Sequence, residues 1–81
     1  MRTHILKCTW SWIWHSKEER YFKTTEPKST WLNVNEIKTI DPIIDPYDNL
    51  VMGSSIFYAL ACNNVKDDRK PDELMQLINN L

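Results

Sequence analysis

Leu6, Cys8, Trp10, Trp12 and Trp14 occupy every second position of one short stretch, and that alternation constrains the fold more than any other feature of the chain. Lys7, Thr9 and Ser11 fill the positions between, joined by Ile5 and Ile13. Successive side chains of a strand point to opposite faces, so the stretch presents one apolar, aromatic face and one mostly polar face. On a helix Trp10 and Trp12 would stand about 200° apart, and no apolar stripe would form. The pattern predicts a long, bent N-terminal strand.

The remaining chain reads as further strands and one helix. Residues 15–30 are rich in charge (Lys17, Glu18, Glu19, Arg20, Lys23, Glu26, Lys28), with Tyr21 and Phe22 beginning a second strand that pairs with the first. Thr24, Thr25, Glu26 and Pro27 then read as loop. Leu32 and Val34 keep a strand's period, whereas Ile37 and Ile40 are spaced by three, which predicts one helical turn between two short strands. Asn33 or Asn35 would cap that turn. Pro42 lacks an N–H and argues against an interior strand position. Asp45, Pro46, Tyr47, Asp48 and Asn49 have turn chemistry, because proline fixes φ and the Asp and Asn side chains bond nearby backbone.

Gly53 and Ser54 lead into a near-continuous apolar run, Ser55 to Cys62, expected to be a central strand. Asn63-Asn64 suits a tight turn, and Val65-Lys66 a short last strand. Pro71 suits the first position of a C-terminal helix, Asp72 and Glu73 complement its positive end, and Asp68 is the candidate cap. Leu74, Leu77, Ile78 and Leu81 fall at helical spacing, with Met75 beside them. The fold class is therefore mainly β (α+β).

Eighty-one residues make a single domain, 1–81. A chain this short buries only about 60–65% of its unfolded surface, and self-association is a common way to gain more. One glycine and four prolines argue against a flexible or low-complexity segment. The net charge of −1 argues against nucleic-acid binding, which needs many cations. Residues 1–40 carry seven basic against four acidic side chains (+3), and residues 41–81 three against seven (−4), a polarity that reads first as ordinary solvated surface and second as complementary ends for head-to-tail self-association. No signal peptide and no membrane span is expected, and a cytoplasmic location with both cysteines reduced is the default.

Little here resembles catalytic machinery. His4 and His15 have opposite parity, and Cys8 shares parity with His4 alone, which leaves too few ligands for a metal. Cys8 and Cys62 lie in apolar strands, where a free thiol behaves as a small hydrophobe. A lone glycine, Gly53, excludes a phosphate-cradling loop, and Asp67-Asp68 before a helix suits capping better than acid–base work. The expectation is a non-enzyme with neither cofactor nor metal. Its candidate binding residues are Trp10, Trp12, Trp14, Arg20, Tyr21 and Trp31, since so small a domain has limited room to enclose every ring and tryptophan is enriched at binding hot spots.

The order formed by residues 32–40 (Leu32, Asn33, Ile37 and Ile40 at their head positions), Ser55-Ile56 and residues 72–78 resembles that of small phage-encoded and flagellar FlbD-like proteins. The resemblance covers residues 31–81 and rests on apolar spacing plus one asparagine. The Trp-rich first third departs from it. It implies a small, strongly bent antiparallel sheet or barrel closed by one C-terminal helix, often self-associating, and it carries over no catalytic residue. With the residue reading, it yields the expectation of a phage-encoded, homo-oligomeric protein in the host cytoplasm that binds and inhibits or redirects a host protein, in host takeover or anti-defence. Sequestration of a nucleotide signal is the first alternative, and single-stranded nucleic-acid binding the second.

Overall fold

A computed structural model describes residues 4–60 and 62–80. Its strands are β1 (Ile5–His15), β2 (Arg20–Asn33), β3 (Ile37–Ile44), β4 (Val51–Tyr58) and β5 (Asn63–Asp67), followed by the helix α1 (Pro71–Asn79). β1 and β2 form a two-stranded antiparallel sheet, and β3, β4 and β5 an antiparallel sheet with β4 in the centre. The strands do not close into a barrel: β2 and β3, consecutive in the chain, belong to different sheets. The mainly β fold with one C-terminal helix is what the periodicities implied.

Several local expectations are corrected. Residues 24–27 are not a loop: they belong to β2, where they form a wide bulge. Trp10 pairs with Lys28 and Trp12 with Lys23, so β1 advances two residues while β2 advances five, leaving three unmatched. Within the bulge the Thr24 hydroxyl accepts the Glu26 N–H at 3.1 Å, a local bond that substitutes for a ladder bond. Pro42 does lie inside a strand, opposite Ser54, and is tolerated because β3 is an edge with no neighbour on its far side. Asn63 and Asn64 are paired residues of β5, and the turn falls earlier, where Ala59 takes a left-handed φ of 51°.

The single helical turn is present at Val34–Glu36, with the Asn33 side chain accepting the Asn35 N–H at 2.9 Å. The turn after β3 is held as its residue types required: Asp45 accepts the Tyr47 N–H at 2.8 Å, and Asp48 the Leu50 N–H at 3.0 Å. Pro71 opens α1, but Asp68 does not cap it; Lys70 stands at the cap without a side-chain bond.

Leu6, Cys8, Leu32, Ile56 and Leu74 are buried, with Val34, Ile37, Ile40, Tyr58 and Val65 packed around them. Among the described residues Leu74 is the side chain of α1 fully buried in this core, its burial contributing about 2 kcal/mol. Met75 and Leu77 remain exposed, Ile78 is half-buried, and Leu81 lies outside the described residues.

The two sheets are joined through the second edge of β1, by Asp67, Asp68 and Arg69. The Asp67 carboxylate accepts the Thr9 N–H at 2.9 Å, and Asp68 accepts the Ser11 N–H at 2.9 Å and the Ser11 hydroxyl at 2.6 Å. In the other direction the Asp68 N–H donates to the Thr9 carbonyl at 2.9 Å, and the Arg69 guanidinium to the Lys7 carbonyl at 2.7 Å. Side chains thus complete a strand edge that a sixth strand would otherwise cover. Burial opposes charge on Asp67, but hydrogen bonds from Arg69 and Thr9 outweigh it and hold the carboxyl below its usual range.

Candidate functional site: an aromatic cleft between two hairpins

The aromatic row does not share one environment. Leu6 and Cys8 sit in the core, Trp10 and Trp12 are half-buried, and Trp14 is 44% exposed. The lower part of β1 is covered by the Asp67–Arg69 segment, while its upper part continues past that cover towards the turn at residues 16–19.

Trp10 is seated by Gly53, the only glycine in the chain. A Cβ there would stand 2.8 Å from Trp10 Cζ3 and closer still to the Asp67 carbonyl oxygen. From this seat the aromatic group runs upward. Tyr21 meets Trp10 edge-on, with centroids 5.9 Å apart and planes at 90°, and meets Trp14 at 4.9 Å and 64°. Such edge contacts are favourable for ring quadrupoles and fix the rings relative to one another.

Ile44 and Pro46, from the end of β3 and the turn beyond it, stand across from Trp14 and Tyr21. The result is two adjoining hollows of about 440 and 330 Å³ that share Trp14, Tyr21 and Lys66. Thr24, Glu26 and Lys28 reach the second hollow because the β2 bulge turns that stretch towards it. At the tips, the Arg20 guanidinium lies 5.2 Å from the Phe22 ring and 4.6 Å from the Tyr47 ring, joining one hairpin to the other.

The cleft is basic. Lys66 Nζ lies 5.8 Å from the Trp10 ring, and Lys23 Nζ 5.9 Å from the Trp12 ring. Among the described residues Asp67–Arg69 is the one ion pair, so Lys23, Lys28 and Lys66 stand without a carboxylate partner and Glu26 is the acidic group lining the hollow.

Of the six residues singled out from the sequence, Trp10, Trp12, Trp14 and Tyr21 come together here, and Arg20 lies at the tip. Trp31 does not join them. It faces Lys7 in the register, is 67% exposed, and has the Lys7 ammonium 5.5 Å from its ring. Lys28, Ile44, Pro46 and Lys66 were not foreseen as cleft residues. One signal for part of this was available, since a glycine inside a strand marks the close approach of another group.

Burial pushes the Cys8 thiol up to about 11, helped by the nearby Asp67 carboxylate, so Cys8 is a poor nucleophile at neutral pH. Cys62 is exposed. The His15 ring rests against Phe22 at 4.5 Å. Among the described residues no three of His, Cys, Asp and Glu group at metal-binding spacing, and no helix is long and apolar enough to cross a membrane. No family model, curated protein or solved structure matches the chain.

Proposed function

We propose that this is a non-catalytic, self-associating binding protein, phage-encoded and acting in the host cytoplasm, that grips a host protein with its aromatic cleft and inhibits or redirects it. The observation that carries this reading is the pairing of an exposed Trp14 with lysines that have no carboxylate partner among the described residues. Tryptophan anchors flanked by charge are the residues on which binding energy concentrates. The complementary surface on the partner is acidic, with an apolar group to enter between Trp14 and Ile44. Catalysis is set aside because, among the described residues, no activated nucleophile is assembled with a base.

The test is capture of a partner from host lysate by the whole protein and by Trp14→Ala, with the complex then weighed. The wild type should retain a stoichiometric partner that is shed at high salt, and the variant should lose it about 30-fold more readily. Failure of the wild type to retain anything overturns the reading.

A second reading has its own support: flat rings beside lysines would also suit a nucleotide, its base stacked and its phosphates on the ammonium groups. Titration with nucleotides should then quench Trp fluorescence to a 1:1 end point. An unchanged spectrum across mono-, di- and cyclic dinucleotides removes it.

A further inference from the structure

The face of β1 away from the core carries an apolar surface separate from the cleft. Ile5 is 53% exposed, and Trp31, opposite Lys7 in the register, is 67% exposed while its neighbour Leu32 is buried on the other side. Apolar side chains exposed together, as these are on one face, mark an interaction surface where singly exposed ones would not.

Three observations identify that partner as another copy of the chain. The molecule is elongated, with extents of 47 × 23 × 23 Å and a radius of gyration of 13.3 Å against about 12 Å for a compact domain of this length, so it leaves more surface uncovered than a rounded one. The charges are complementary between its two parts. Residues 4–33 carry five basic and three acidic side chains (+2), and residues 34–80 four and eight (−4). Pairing hairpin with hairpin would oppose like charges, whereas pairing the hairpin with the α1-bearing part brings opposite charges together. Finally, two of the outer strands are poor docking points: Pro27 in β2 and Pro42 in β3 each remove a ladder donor, with a bulge beside Pro27, so those edges disfavour strand-to-strand pairing.

We propose that the outer hairpin face, centred on Trp31, docks on the α1-bearing part of a second copy, where Met75 is 49% exposed. This rests on the self-association reading and adds the surfaces that meet. Each subunit offers one basic, aromatic face and one acidic, aliphatic face, so a twofold arrangement would use both contacts at once.

Sedimentation equilibrium of the full chain tests it, with Trp31→Ser and Met75→Gln as variants and circular dichroism to verify folding. Both side chains are exposed, so both variants should keep the wild-type spectrum. At tens of micromolar the wild type should weigh at least twice 9.7 kDa. Either variant should raise the dissociation constant about 30-fold, and added salt should raise it further. A mass of one chain at every concentration overturns the proposal, as does an oligomer indifferent to either substitution. Trp14→Ala should leave the mass unchanged while releasing the captured partner, so the two readings fail separately.

Discussion

At the residue scale, the contact between Trp10 and Gly53 decides whether the aromatic row belongs to the core or to the site. Gly53→Ala puts a methyl group against the Asp67 backbone carbonyl, which cannot move without shifting β5, and against the Trp10 ring. Its expected cost is about 1–3 kcal/mol, read as a lower midpoint in urea, with a change in Trp fluorescence as the ring is displaced. Trp14→Ala should lower the same midpoint less, by about 1 kcal/mol, because that ring is 44% exposed but loses its edge contact with Tyr21. The period-two spacing of Leu6 to Trp14 made the shared face legible from the sequence. The gradient of burial along it was not legible, because it depends on where the Asp67–Arg69 segment ends, some 55 residues further along the chain.

At the element scale, strands were legible wherever side-chain type and period agreed, and were misplaced wherever a polar residue sits in a ladder. Asn63 and Asn64 have turn composition, yet they extend β5 because Tyr58 pairs with Asn63 and Phe57 with Asn64, leaving the reversal to Ala59 and the residues after it. Ala59 accepts a left-handed conformation there at a cost of about 1 kcal/mol relative to glycine. Ala59→Gly should therefore stabilise the protein by about 0.5 kcal/mol after the added unfolded-state entropy is deducted, a small upward shift of the urea midpoint. The β2 bulge follows the same logic. Thr24 to Pro27 look like loop because they do lack partners, but the strand resumes on both sides and the chain stays extended.

At the scale of the whole molecule, the Asp67–Arg69 segment makes one body of two sheets. Asp67 is 1% exposed, and its carboxyl is held below the usual value of 3.8. A depressed value in the fold means that the stabilisation is complete above about pH 4 and is lost as pH falls through the lowered value, when the carboxylate takes up its proton. Asp67→Asn should cost about 3 kcal/mol at neutral pH, because Arg69 would keep its charge without its counter-ion, and should flatten the acid limb of a plot of melting temperature against pH. Wild type and variant with superimposable acid limbs would refute this account. The acid sensitivity has a functional consequence. Gly53, which seats Trp10, lies against the backbone of Asp67, the residue whose ionisation pins the sheets together. Seat and hinge pin are therefore one piece, and only acid strong enough to take Asp67 through its lowered value, below about pH 4, would loosen both in the same step.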